Sequence, residues 1–253
     1  MKSGIFGDLS IALDPALIMK AAGLLPDPWQ ADLLRSTADR YLLLCTRQAG
    51  KSTSTAALAL WEAIYNAPAL VLCLSPSLRQ SQELFKKVLW FLGAFPQRVP
   101  IRKESELRVE MENGSRIVAL PATEATVRGY SGVRLLLIDE ASRVEDALYF
   151  SVRPMLAVSG GRIVAMTTPF GKRGFFYDAW NDAGDDWQRV KITANECPRI
   201  TQEFLEEERR AVGDWWFRQE YMCDFVDTVD QVFSYEDVTS ALSSEIKPLF
   251  GGI

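Results

Sequence analysis

An α/β fold, with a mostly parallel sheet and helices on both faces, is the architecture this sequence predicts. Short, continuously apolar runs recur at 41–45 (Y-L-L-L-C), 69–74 (A-L-V-L-C-L), 134–138 and 161–166. Runs of that length and composition read as strands buried on both faces. Segments with helical periodicity separate them, and strands alternating with helices connect by parallel crossovers. The length of 253 residues suits one large domain, or one domain with a small appendage.

The elements follow in order. Asp27-Pro28-Trp29-Gln30 precedes a helix, with Trp29 open to an ordinary packing role. The strand at 41–45 leads into a Gly-containing loop, after which Ala56, Ala59, Leu60, Ala63, Ile64 and Ala67 recur at helical spacing up to Pro68. The 69–74 strand is followed by a helix marked by Leu78, Phe85, Val88, Leu89 and Leu92. Over 106–120 the apolar residues alternate and Asn113-Gly114 signals a tight turn, so a β-hairpin excursion is expected there. A helix around 145–156 is expected between the strands at 134–138 and 161–166, one more strand over 187–193, and a helix over 201–222. In that last helix the E-E-E-R-R run at 206–210 reads as a solvated face, and Trp215, Trp216, Phe217 and Tyr221 read as packing groups.

Composition removes several classes of chemistry. The chain contains no histidine, so histidine bases, triads and metal ligands are excluded. Cys45, Cys73, Cys197 and Cys223 are widely spaced and form no C-x-x-C pair, which indicates neither a zinc site nor a disulfide framework. No apolar run approaches the ~20 residues of a membrane span, and Met1-Lys2-Ser3-Gly4 begins no signal-peptide core; a cytosolic protein without membrane partners is expected. The net charge is −5. Any contact with nucleic acid must then be local, with Arg98, Arg102, Lys103, Lys172 and Arg173 as candidates.

Three strings carry the chemistry. In C-T-R-Q-A-G-K-S (45–52), Gly50, Lys51 and Ser52 match the end of a phosphate-binding loop, G-x-x-x-x-G-K-[ST], while Cys45 replaces its first Gly. Backbone N–H groups of such a loop surround phosphates, the Lys reaches the outer phosphates and the hydroxyl ligates Mg²⁺. The candidate nucleotide-binding residues are therefore Arg47, Gln48, Ala49, Gly50, Lys51, Ser52 and Thr53. In L-L-L-I-D-E-A (135–141), a buried strand ends in Asp139, suited to hold Mg²⁺, and Glu140, suited to polarise the attacking water. In M-T-T-P (166–169), the hydroxyls of Thr167 and Thr168 end another strand, in reach of Glu140, the water or the γ-phosphate. Arg47 can pair with phosphate bidentately. Arg128, between glycines in T-V-R-G-Y-S-G, fits an arginine finger reaching a neighbouring subunit, and the amide of Gln30 suits an adenine edge.

Taken together, P-D-P-W-Q-A-D-L-L, C-T-R-Q-A-G-K-S-T, L-S-P-S-L-R-Q-S-Q-E-L, E-N-G-S-R-I-V-A-L-P-A, V-R-G-Y-S-G-V-R-L-L-L-I-D-E-A and M-T-T-P-F-G-K-R-G-F-F-Y resemble, in order and spacing, the ATPase domain of phage terminase large subunits. E-Y-M-C-D-F-V-D-T-V-D-Q-V-F (220–233) resembles the segment leading from that domain towards the family's nuclease, and the whole resemblance spans about 25–235. An Arg inside the phosphate loop and a missing first Gly fit this family. The resemblance implies a P-loop NTPase of the RecA/ASCE-like type, with ATP and Mg²⁺ as cofactors, in which the Walker A and Walker B strings drive translocation of double-stranded DNA into a procapsid. It implies an ATPase core at 1–185, a small C-terminal lid at 186–225 and a linker at 226–253. It assigns Gln30 to adenine; Arg47, Lys51 and Ser52 to phosphate and Mg²⁺; Asp139 and Glu140 to metal and catalysis; Thr167 and Thr168 to coupling; and Arg128 to the trans finger. It implies weak, sequence-independent DNA binding, a homo-oligomeric ring commonly of five subunits, a portal protein and a small terminase subunit as partners, and a host-cytoplasmic place of action during assembly. The family's RNase H-like nuclease would begin near Phe250-Gly251-Gly252-Ile253, so this chain is expected to be a truncated protein or a motor without a cutter, with no nuclease activity.

Competing readings are a helicase-like translocase, which needs a second full domain that the 84 residues after Pro169 (253 − 169) fall short of, an ABC-type ATPase, whose signature would precede the carboxylate strand whereas Ser159-Gly160-Gly161 follows it, and a non-enzymatic nucleotide-binding scaffold, which ATP turnover separates from a motor.

Overall fold

The computed structural model of the chain describes residues 5–127, 129–181, 186–227 and 240–241. Helices α1 (Ile5–Leu13), α2 (Leu17–Ala21) and α3 (Pro28–Arg35) lead to strand β1 (Arg40–Cys45) and helix α4 (Lys51–Tyr65). Then come β2 (Leu70–Ser75), α5 (Leu78–Ala94), β3 (Ile101–Ser105), β4 (Arg108–Met111), β5 (Arg116–Pro121), the short α6 (Glu124–Val127), β6 (Val133–Asp139), α7 (Asp146–Val152), β7 (Arg162–Thr167), α8 (Gly174–Asn181), β8 (Gln188–Ile192) and α9 (Gln202–Glu220).

The strands form one sheet in the order β3-β4-β5-β2-β6-β7-β1-β8. From β5 to β8 every neighbouring pair is parallel; at the other edge β4 alone runs against the rest, paired antiparallel with both β3 and β5. The apolar runs explain the layering. Side chains alternate across a strand, so Tyr41, Leu43, Cys45, Leu135 and Leu137 point into one core, under α3, α4 and α5. Leu42, Leu44, Leu136 and Ile138 point into the other, which packs against α7 and α8. A strand flanked by two cores has no polar face, which is why these segments read as unbroken hydrophobic runs.

Asn113-Gly114 makes the expected turn, with Gly114 at φ +87°, and β4 and β5 pair across it. The hairpin does not leave the sheet; it extends the edge. Strand β3 is not among the expected elements. Its residues Arg102, Lys103, Glu104 and Ser105 are all exposed, so it has no apolar signature, and its charges protect an edge that could otherwise pair with another chain.

One expectation changes at the C-terminal side. The helix expected over 201–222 is broken at Gly213 (φ 79°, ψ 163°), a backbone conformation open to glycine at little cost. The strand at 188–192 pairs in parallel with β1, from Tyr41↔Gln188 to Cys45↔Ile192, so the segment assigned to a lid begins with a strand of the main sheet. Within α9 and its flank, Phe217 packs with Leu205 and Ala194, whereas Trp216 is exposed. Most of the 226–253 segment lies outside the described residues. No helix among the described residues is long and apolar enough to cross a membrane.

Candidate active site

The parallel register brings the C-terminal ends of β1, β7 and β6 side by side. Each end carries one of the three strings. After β1 the chain turns through Gln48 (φ 61°) and Gly50 (φ 93°), both left-handed, before α4 starts at Lys51. Gly50 is required twice over. Its backbone is strained for any L side chain, and a Cβ there would stand 2.6 Å from Gln30 Nε2. The fifteen-residue α4 then presents its N-terminal N–H groups at the loop, a favourable place for anions.

Glu140 follows β6 in a left-handed conformation (φ 49°, ψ 44°), uncommon for a residue with a side chain. The Asp139 Oδ1 accepts its backbone N–H at 3.0 Å. Both carboxylate oxygens of Glu140 are engaged: Lys51 Nζ lies 3.1 Å from Oε1, and Thr168 Oγ1 donates to Oε2 at 3.4 Å. Ser52 Oγ donates to Asp139 Oδ2 at 3.2 Å. Thr167 Oγ1 donates to the Thr168 carbonyl at 2.7 Å and accepts the Ser142 N–H at 3.3 Å, tying the end of β7 to the turn after Glu140.

Electrostatics follow from burial and neighbours. Burial alone would lower the pKa of Lys51, but Glu140 and Asp139 outweigh it and hold the ammonium above its ordinary value. Burial raises Asp139 above the usual carboxylate value, against the pull of Lys51. Cys45, where the phosphate-loop pattern has Gly, is fully buried at the end of β1. Burial pushes its thiol well up and carries Cys73 and Cys223 to about 12, so these act as small apolar groups.

A cavity of about 760 Å³ opens over this arrangement, and Arg47, Gln48, Gly50, Lys51, Ser52, Thr53 and Glu140 all reach it. The donor set fits Mg²⁺ bound with phosphate. Among the described residues no three or more His, Cys, Asp or Glu are grouped so that they could hold a metal ion, but Mg²⁺ is commonly held by one or two protein oxygens together with substrate phosphates and water. The Ser52–Asp139 pair supplies such oxygens.

Other expected residues are placed differently. Arg47 points its guanidinium at the Glu220 carboxylate at the end of α9, and Thr46 Oγ1 donates to the Glu220 carbonyl at 2.8 Å. Gln30 is buried; its Oε1 accepts the Asp27 N–H at 2.9 Å and its Nε2 donates to the Ala49 carbonyl at 3.3 Å. Gln30 is not among the residues that line the cavity. Arg128 lies outside the described residues. Of the basic candidates for DNA, Arg98, Arg102, Lys103 and Arg173 are exposed, whereas Lys172 meets Asp227 at 3.4 Å.

Four residues of the cavity wall escaped the sequence reading: Gln80, Lys87, Arg143 and Arg199. Arg199 grips Asp27 through two bonds of 3.0 and 2.7 Å and donates to the Ala49 carbonyl at 2.9 Å. Arg143 lies over the Phe170 ring at 4.0 Å. Gln80 and Lys87 stand seven residues apart on α5, where the apolar spacing drew attention and the polar positions did not.

Comparison with known proteins finds similarity over most of the chain. The family model described as terminase large subunit, T4likevirus-type, N-terminal, matches residues 42–240. The terminase large subunit of Escherichia phage T5 is 24% identical, over 85% of this chain and 51% of its own length. That of Thermus virus P23-45 is also 24% identical, over 88% of this chain and 53% of its own. The chain thus spans about half the length of these curated relatives. Among solved structures, the large terminase ATPase domain of Thermus phage P74-26 superposes with a TM-score of 0.70 at 21% identity, covering 82% of this chain and 97% of that one. The large terminase of a thermophilic bacteriophage in complex with ADP gives 0.64 at 10% identity, covering 79% and 54%. These two likenesses establish the shared fold.

Proposed function

Because the chain belongs to the family of terminase large-subunit N-terminal domains, we propose that it is an ATP-hydrolysing motor domain that drives double-stranded DNA into a procapsid. The observation that carries the reading is convergence. Lys51, Ser52, Asp139, Glu140 and Thr168 come from three separated strings and meet within 3.1 to 3.4 Å at adjacent strand ends.

ATP is the substrate that suits the site. The loop N–H groups and the start of α4 receive the phosphates. Lys51 leaves Glu140 for the terminal phosphate, which frees Glu140 to accept a proton from water. As that water's oxygen bonds to the γ-phosphorus, the bond to the β–γ bridging oxygen breaks, and ADP and phosphate leave. Thr168 keeps the second Glu140 oxygen oriented and, together with Thr167, links its state to the end of β7. Mg²⁺, when bound beside Ser52 and Asp139, neutralises phosphate charge. Arg47 exchanges Glu220 for phosphate, which couples the loop to α9. Gln30, held against Ala49, is the residue that the family resemblance assigns to adenine.

The finer assignments rest on the family resemblance. The lid is assigned to residues 186–225; Arg128 is a finger supplied to a neighbouring subunit of a ring, commonly of five; the portal and a small terminase subunit are partners in the host cytoplasm. The test is ATP turnover with Mg²⁺ by the wild-type chain and Lys51→Ala. Hydrolysis lost in Lys51→Ala with an unchanged unfolding transition supports the reading. Near-wild-type turnover in that variant removes it.

A further inference from the structure

We propose that Lys87 is a further catalytic residue of this site, a second cation from the same chain that contacts the terminal phosphate of the bound triphosphate. The inference rests on the ATPase reading above. Five cationic side chains line the cavity: Arg47, Lys51, Lys87, Arg143 and Arg199. Four are already engaged. Arg47 is paired with Glu220, Lys51 with Glu140 and Arg199 with Asp27, and Arg143 lies over Phe170. Lys87 alone has no hydrogen-bond, ion-pair or ring partner among the described residues.

Its position makes that lack costly. Lys87 follows Leu84 by three residues and precedes Phe91 by four, so it borders the apolar stripe that buries α5. Its neighbour Lys86 is exposed and paired with Glu83, as expected of a lysine on the solvent side. Lys87 is half-buried instead. Burial pushes its ammonium below the ordinary value, Asp139 pulls it up and Lys51 pushes it down. Its charge is therefore felt by the two groups that flank the expected metal and terminal phosphate. A partly desolvated ammonium with no acceptor is unfavourable until an anion arrives. The cavity it faces is the one built for a polyphosphate. Lys87 needs no neighbouring subunit, so it gives a single chain a stabilising charge that is independent of Arg128.

Equilibrium titrations of the full chain with Mg²⁺ test this, using ADP and a slowly hydrolysed ATP analogue. The variants are Lys87→Gln and Lys87→Met, which keep the stem and remove the charge, and Lys87→Arg, which keeps the charge. A lost charge-assisted contact should weaken the analogue about tenfold to hundredfold while ADP changes by no more than about twofold. Lys87→Arg should recover most of the analogue affinity. Equal weakening of both nucleotides in both neutral variants, or no weakening of either, overturns the assignment of Lys87 while leaving the ATPase reading intact. A wild-type chain that binds neither nucleotide overturns both.

Discussion

Glu140 sits in a left-handed backbone conformation with both carboxylate oxygens occupied, one by Lys51 and one by Thr168. Strain of that kind costs roughly 1–3 kcal/mol and persists only where the surroundings enforce it. Here the Asp139 side chain caps the Glu140 N–H and the end of β7 braces the following turn. Gly50 is under the same kind of constraint, with its φ of 93° and its closeness to Gln30. Gly50→Ala should therefore lower stability by roughly 1–3 kcal/mol and weaken nucleotide binding, measured by denaturant unfolding and by titration; an unchanged unfolding midpoint would contradict the crowding seen at that loop. At this scale the sequence was legible where chemistry is local. Lys51, Ser52, Asp139 and Glu140 could be read from their strings. Arg199 could not, because its partners Asp27 and Ala49 lie 172 and 150 residues away, and no periodicity records such a meeting.

Elements position these residues through tight strand packing. Gly161, just before β7, has the carbonyl of Val133 on β6 where a Cβ would go, with the Arg134 carbonyl and the Leu156 side chain 3.0 Å from the same point. Gly160 has nothing within 4 Å and only a left-handed φ of 58°. Gly161→Ala should thus force β6 and β7 apart and cost about 3 kcal/mol or more, whereas Gly160→Ala, which meets only the left-handed backbone, should cost about 1–2 kcal/mol. Thermal unfolding of the two variants compares them, and equal losses would mean that the contact between β6 and the start of β7 is not tight. Because β6 ends in Asp139 and β7 in Thr167, ATP turnover should fall further in Gly161→Ala than in Gly160→Ala. The doubly buried strands were legible because two cores leave no polar position on them. Exposed β3 was not, since a charged edge strand looks like a loop. The break in α9 at Gly213 was equally hidden, because glycine permits a left-handed backbone without demanding it.

For the whole molecule, a net charge of −5 sets the expected mode of DNA contact. Binding should be weak, indifferent to sequence and steeply reduced by salt; tight, salt-resistant binding to one sequence would contradict it. The proposed ring gives a second test. Arg128→Ala should slow hydrolysis by about 10³–10⁵ while leaving ATP affinity nearly unchanged. Mixing Arg128→Ala with Glu140→Ala subunits should restore part of the activity, because one subunit keeps the carboxylate and its neighbour keeps the arginine. A mixture that stays inactive while mixed rings demonstrably form would place Arg128 in its own subunit's site. The expectations about hydrolysis depend on Glu140 being the group that activates water. The most direct measurement is therefore ATP retention and steady-state hydrolysis by Glu140→Gln, with Mg²⁺, beside the wild-type chain. Glu140→Gln should bind ATP about as well as wild type while turnover falls by about 10²–10⁴. Turnover at the wild-type rate, or loss of ATP binding together with turnover, would contradict the assignment.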